Sequence, residues 1–324
     1  MNLKGTRVLC TGGTGSFGRA IIDRLKDVGC KIVVYSRDEC KQHEMWTRHK
    51  DWPVEYIVGD VRDSRKLRHS FQGVDYIFHA AALKHVPTGE IFPEEVVATN
   101  IIGTKNVVEA AEYCGVKKVV VLSTDKAAYP ISAYGGSKFL AEKIVMAHKG
   151  DTENVCLRYG NVLGSRGSVI PLFLEQISRE EPITVTAFEM TRFILTLQQA
   201  VQLSLKCLRD GNNGDLFVMK PPACSIKTIV SALEFNFGRK LSQTVIGVRP
   251  GEKFHETLLI ADEVYRGREE IDGEITYVRV PANTNKDFFA KGVYRNEPKD
   301  YTSLDAEQLN PEQVLAKLKE AKLL

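Results

Sequence analysis

The sequence predicts an α/β fold in which a doubly wound parallel sheet carries helices on both faces. Two observations predict it. Short apolar runs alternate with amphipathic stretches through the first half of the 324-residue chain, and a glycine triplet sits where the first run ends. The runs at 7–10, 31–35, 55–58, 76–79, 118–122 and 155–158 read as strands, and the patterns over 17–28 and 101–113 as helices between them. Strands at these intervals belong to βαβ units, whose crossovers bury both faces of the sheet. Past Asn161 the alternation breaks into short apolar runs mixed with Gly and Pro, a helix near 197–208 and a strand at 215–219.

That break sets the expected domains. Residues 1–165 form a nucleotide-binding unit completed by about 191–218, and 166–190 with 219–282 form a smaller substrate-binding lobe. Residues 283–324 form a C-terminal extension whose last stretch, "PEQVLAKLKEAKLL", reads as a helix with Pro311 in its first turn.

Composition excludes several classes. The chain is 43% hydrophobic and 26% charged, and its net charge is only +3, which gives no reason to expect nucleic acid or a membrane surface as partner. Its opening apolar run is too short for a signal peptide or a membrane span, so a cytoplasmic protein is expected. The seven cysteines are scattered and form no CxxC or Cys/His cluster, which argues for reduced thiols and no metal site.

"VLCTGGTGSFGRAI" carries the first strand into the first helix. Gly12, Gly15 and Gly18 allow a tight turn, close approach of backbone to a pyrophosphate, and helix–strand packing. With Thr14, Ser16 and Phe17 they are the candidate phosphate contacts of a Rossmann-type dinucleotide site, since helix N-termini favour anions. The second strand ends in "VVYSRDECK". Ser36, Arg37 and Lys41 favour NADP, while Asp38 and Glu39 leave open a ribose contact to NAD. Asp60 and Val61 in "GDVRD" are placed to meet an adenine edge, Ala80 and Ala81 to lie close to the cofactor, and Val162 is a further contact.

Tyr134 and Lys138 are one helical turn apart and share a face. A tyrosine beside an ammonium and a nicotinamide cation has its phenolate stabilised, which makes it a base for an alcohol proton as hydride leaves the same carbon. Thr124 shares the substrate-hydroxyl hydrogen bond. Asp125 and Lys126 add an acid and a base that hydride transfer alone does not need.

"TGGTGSFG", "YSRDE", "GDVRD", "HAAALKHVP", "STDKAAYPISAYGGSK", "RYGNVLGSRGSVIP" and "GVRPGEKFHE" resemble the extended short-chain dehydrogenase/reductases. More closely they resemble the UDP-N-acetylglucosamine 4,6-dehydratases, especially the soluble, inverting, 5-epimerising kind. The resemblance runs from about Thr6 to about Pro281. Tyr129 departs from it, standing where the family more often has a small or polar residue. The resemblance implies oxidation at sugar C4, loss of water across C5 and C6, and return of the hydride to C6, with the NADP regenerated each cycle. It implies Lys126 as the C5 base and Asp125 as the acid that expels water. Lys126 must then be neutral, so its pKa is expected to fall from about 10.4 through burial, the nicotinamide charge and Lys138.

The same resemblance raises Lys84, Asn161, Arg166, Arg192, Arg249 and Glu252 to substrate contacts: Lys84 and Asn161 near the sugar, the arginines for the diphosphate, Glu252 for the uridine ribose. A homo-oligomer and a route to surface glycans are further implications. Retention at C5, a UDP-sugar 4-epimerase and a non-catalytic NADP sensor stay open, although the Asp125–Lys126 pair counts against an epimerase and the kept Tyr134 and Lys138 against a sensor.

Overall fold

The computed structural model describes residues 2–165, 167–282 and 298–324. Six parallel strands follow the predicted runs closely: β1 Arg7–Thr11, β2 Lys31–Ser36, β3 Val54–Val58, β4 Tyr76–His79, β5 Lys118–Leu122 and β6 Glu153–Arg158. The short strands β7 Ile183–Val185 and β8 Thr191–Phe193 precede β9 Leu216–Met219. The later strands are β10 Ala223–Ser225, β11 Gln243–Val245, β12 Thr257–Leu259, β13 Arg268–Asp272, β14 Ile275–Val280 and β15 Tyr301–Thr302.

The main sheet has nine strands in the order β13-β14-β9-β6-β5-β4-β1-β2-β3. Chain order reverses between β1 and β4: β1 pairs in parallel with β2 on one side (Val8↔Ile32) and with β4 on the other (Val8↔Tyr76). In such sheets a crevice opens at the carboxyl ends of the strands where the order reverses, and ligands bind there. β5, the valine-rich "KVVVL", is buried along its whole length, as β-branched residues in a two-sided sheet should be. One apolar layer joins Ile21, Ile22, Leu203 and Phe217 on one face, and another joins Phe71, Val107, Ala111 and Val145 on the other.

Three sequence expectations change. The helix foreseen at 101–113 begins as a π-helical turn, Val97–Ile102, before the α-helix Gly103–Tyr113. Residues 268–280, assigned by sequence to the lobe, instead extend the main sheet: β14 pairs antiparallel with β9, and β13 pairs antiparallel with β14 at the edge. The terminal helix Pro311–Glu320, capped by Asn310 and Gln313, does not stand apart as an extension: Val314, Leu315 and Leu318 join the lobe's own core with Ile229, Leu233 and Phe173. β15 pairs with β12, so the chain's last segment also backs the site described next. The part of the expected extension at 283–297 lies outside the described residues. Among the described residues no helix is long and apolar enough to cross a membrane.

Candidate active site

A cleft of about 840 Å³ lies at the carboxyl ends of the parallel strands, at the reversal between β1 and β4. At its floor the first loop turns at Gly12, whose φ is +66°, and a Cβ there would come within 2.8 Å of Ala81 N. Only glycine permits both the conformation and the approach. A Cβ on Gly18 would collide with Gly13, so the helix Ser16–Leu25 seats directly on the loop. No side chain caps that helix, which leaves its first N–H groups for an anion. Thr14, Ser16, Phe17, Val61, Ala80 and Val162 line the same cleft. These residues fit a dinucleotide.

At the end of β2, Ser36 Oγ lies 3.0 Å from Thr14 Oγ1. Asp38, the alternative ribose ligand, caps the helix Glu39–Arg48 by accepting from Lys41 N at 2.9 Å, and its carboxylate also pairs with the Lys41 ammonium. Arg37 lines the cleft with a side chain 47% exposed. Asp60 departs from expectation. Its carboxylate takes Arg62 N and Nε at 2.9 Å each and lies 3.5 Å from Arg37, and it does not line the cleft. Burial resists its charge, yet these partners hold its carboxyl below the usual range.

Tyr134 opens the helix Ala133–Ala147, which Ser132 caps and Glu90 anchors by accepting from Ala133 N at 2.7 Å. Burial pushes the phenol above its ordinary value, while the Lys126 charge and a hydrogen bond with Thr124 pull against it. Lys138 lies one turn further along the same helix. It is buried, its own pKa is lowered by burial, and its Nζ donates to Leu122 O at 2.5 Å.

Lys126 reverses its expectation. Its Nζ donates to Asp125 Oδ1 at 3.1 Å and to Glu256 Oε1 at 3.0 Å. Burial acts to discharge it, but the two carboxylates outweigh burial and lift its pKa well above the ordinary lysine value. In this state it is an ammonium ion. Two neighbouring lysines shift the other way, as Lys138 does: Lys84 falls through burial and the Lys126 charge, and Lys253 through burial first. Thr124 Oγ1 donates to Asp125 Oδ1 at 2.8 Å, so Tyr134, Thr124, Asp125, Lys126 and Glu256 form one connected chain.

On the substrate side, Lys84, Asn161, Arg249 and Glu252 line the cleft. A side cavity of about 200 Å³ continues from Asn161, Arg249 and Glu252 to Arg192 and the apolar Phe173, Ile194 and Ile229. Arg192 lines only this side cavity and is largely spent on protein, donating to Thr191 O at 2.8 Å and Glu252 Oε1 at 2.9 Å. Glu252 keeps one oxygen, Oε2, without a protein partner. Arg166 lies outside the described residues. Tyr129 does not line the cleft: its exposed side chain donates to Asp300 Oδ1 at 3.3 Å, and its φ of +46° places it in the left-handed region.

Sequence reasoning missed two residues. Glu256, the last letter of "GVRPGEKFHE", sits 130 positions from its partner Lys126. Asn100, in the π-helical turn, accepts from Leu83 N and donates to Leu83 O, both at 2.8 Å, and donates to Ser137 Oγ at 2.9 Å. It ties the loop that carries Lys84 to the helix that carries Tyr134. A π turn at a functional site was the signal available, and it is visible only in structure.

Fold, glycine loop and the Tyr134–Lys138 helix together define an extended short-chain dehydrogenase/reductase, a class the structural likeness below supports. The chain belongs to the family described as polysaccharide biosynthesis protein, which matches residues 8–276. A UDP-glucose 4-epimerase of Rickettsia rickettsii is 42% identical over 322 residues, 95% of this chain and 93% of that one. The X-ray structure of Pen from Bacillus thuringiensis superposes with a TM-score of 0.89 at 33% identity, covering 99% of this chain and 100% of that one. A dTDP-glucose 4,6-dehydratase of Streptomyces venezuelae shares the fold at a TM-score of 0.69 and 21% identity, over 77% of this chain and 87% of that one.

Proposed function

We propose that the protein is an NADP-dependent UDP-N-acetylglucosamine 4,6-dehydratase that inverts C5. One observation carries the reading: beside the redox tyrosine, Lys126 Nζ and Asp125 Oδ1 stand 3.1 Å apart in the cleft wall and share a proton. Bound in the cleft, the nicotinamide supplies a hydride acceptor for sugar C4 and a hydride donor for C6.

The protein's share is proton traffic. Tyr134 takes the C4 hydroxyl proton, and the C4 ketone then acidifies C5–H. Moving the shared proton from Lys126 to Asp125 makes a neutral amine and a carboxylic acid in one step, which reconciles an ammonium in the free site with a base in the reaction. The amine removes the C5 proton, and the acid protonates the departing C6 hydroxyl, which leaves as water. Once C5 regains a proton, Tyr134 holds one proton more than at the start and the Asp125–Lys126 pair one fewer. Thr124, bonded to Tyr134 and to Asp125 Oδ1, offers the route by which that proton returns.

In the same reading the main-sheet unit holds the cofactor and the lobe holds the UDP-sugar. Arg37 and Lys41 accept the 2′-phosphate. Lys84 and Asn161 contact the sugar, and Arg249, Arg192 and Arg166 the diphosphate. The Glu252 oxygen left open in the side cavity suits a ribose hydroxyl. We take the enzyme to be cytoplasmic and homo-oligomeric, serving a nucleotide-sugar route to surface glycans. Exposed Ile91, Phe92, Val97, Ile102 and Leu140 give apolar surface for self-association.

The relatives named UDP-glucose 4-epimerase motivate the second reading, a 4-epimerase. Incubation with UDP-N-acetylglucosamine and catalytic NADP separates the two. The dehydratase yields a product lighter by one water without net NADPH, and NMR at C5 reports inversion or retention. A product of unchanged mass with C4 inverted makes it an epimerase.

A further inference from the structure

We infer that Glu256 is a positioning residue that sets the charge of Lys126 and so the order in which the site uses it. The inference deepens the dehydratase reading and rests on it for what Lys126 does to substrate.

Glu256 is built into place. Its side chain is buried, and its backbone is clamped from both directions by the C-terminal segment: Glu256 N donates to Ser303 Oγ, and Ser303 N to Glu256 O, each at 2.8 Å. One carboxylate oxygen meets Lys126 Nζ at 3.0 Å, and the other is buried with no protein partner. Arg192 Nε comes only to 3.9 Å of Oε1, so Lys126 is the close cation on this carboxylate. A buried carboxylate left unpaired is costly, and the contact holds the lysine as firmly as the glutamate.

The charged and titratable groups that act on Lys126 come from every element around it. Asp125 belongs to its own turn, Glu256 precedes β12, and Arg192 is in β8. Tyr134 comes from the Ala133–Ala147 helix, Lys84 from the loop after β4, and Lys253 from the segment before Glu256. Among these only Asp125 and Glu256 are carboxylates within hydrogen-bond distance of Nζ. Asp125 is needed as the acid, so Glu256 is the partner free to act only as a counter-charge. An ammonium at position 126 favours the Tyr134 phenolate, which the first step uses. The elimination needs that ammonium discharged. Glu256 thus favours oxidation first and holds the base in reserve until Asp125 takes the proton.

Glu256→Gln keeps shape and removes charge. In the free protein labelled with 15N-lysine and 13C-tyrosine, with signals assigned through Lys126→Arg and Tyr134→Phe, the Lys126 midpoint should fall by about 1–3 pH units. The Tyr134 midpoint should rise. With UDP-N-acetylglucosamine and NADP in D₂O, the pH limb for C4 oxidation should move up and the limb for C5 deuterium exchange should move down. A residue that merely supports the fold would lower both rates and move neither limb. An unmoved Lys126 midpoint overturns the inference. Should the glutamine variant not fold, Glu256→Asp, which draws the carboxylate back by one methylene, must give a smaller fall in the same direction, and no fall overturns it equally. Wild-type protein that binds the sugar nucleotide but never exchanges C5 hydrogen sinks the dehydratase reading instead, and the midpoints of the free protein still judge Glu256.

Discussion

Arg158 and Lys126 are each wedged between two buried carboxylates, and the two clusters are finished differently. Arg158 is 2% exposed and donates to both oxygens of Glu142 and both of Glu263, at 2.6–3.0 Å, and to Leu258 O at 2.8 Å. Every carboxylate oxygen there is used, and guanidinium does not give up its proton. That cluster joins the Tyr134 helix to the helix Ala261–Arg266 and has nothing left to offer a ligand. Lys126 is 24% exposed toward the cleft, and Asp125 Oδ2 and Glu256 Oε2 remain unpartnered. An amine can lose its proton, and open oxygens can receive one. Saturation and a permanent charge make a lock. Open valences and a labile proton make a working site.

Lys126→Arg breaks the comparison most severely, because it installs the lock's chemistry in the working site. The variant should fold, bind the sugar nucleotide and still oxidise C4 through Tyr134. Loss of a positioned base should slow elimination by about 10²–10⁴-fold, read as dehydrated product and as C5 deuterium uptake in D₂O. Dehydration at the wild-type rate with normal C5 labelling would take Lys126 out of the mechanism. Arg158→Met tests the other half. It leaves Glu142 and Glu263 buried without their cation, a loss of about 3–5 kcal/mol of stability in such pairs. The urea midpoint should drop accordingly, and a midpoint equal to that of the wild type would show the cluster to be no lock.

The same contrast explains what could be read from the sequence. Runs such as "KVVVL" declare buried strands by composition alone, and the glycine loop declares its turn because glycine alone combines a φ of +66° at Gly12 with backbone so close to Ala81. Asp125, Lys126, Tyr134 and Lys138 were legible because they lie on adjoining local elements. Partners chosen by tertiary folding left no local trace. Glu256 reaches Lys126 from 130 positions away, and without this second carboxylate burial alone points to a lowered lysine pKa, whereas the folded site raises it. Asp60 carries an ordinary-looking cofactor motif, and only the fold shows Arg62 and Arg37 on its carboxylate. β13, the charged "REEID", has exposed positions that hide a strand at the sheet's edge.

Arg37 extends the comparison to a third cation and the smallest expected effect. Its ion pair with Asp60 is long, 3.5 Å, and its side chain is 47% exposed. Such a pair contributes about 0–1 kcal/mol, so Arg37→Ala should leave the urea midpoint nearly where it was, unlike Arg158→Met. The loosely held guanidinium at the end of β2 is instead available to a phosphate, which it matches with paired donors. A hydrogen bond to a charged group contributes about 1.5–3 kcal/mol, so the dissociation constant for NADP should rise roughly 10- to 100-fold while that for NAD stays nearly unchanged. Calorimetric titration of both cofactors on both proteins measures this. Equal weakening of NADP and NAD would defeat the NADP assignment and return the ribose contact to the acidic residues that follow Arg37. A large fall in stability would place Arg37 with Arg158, among the cations the fold has already claimed.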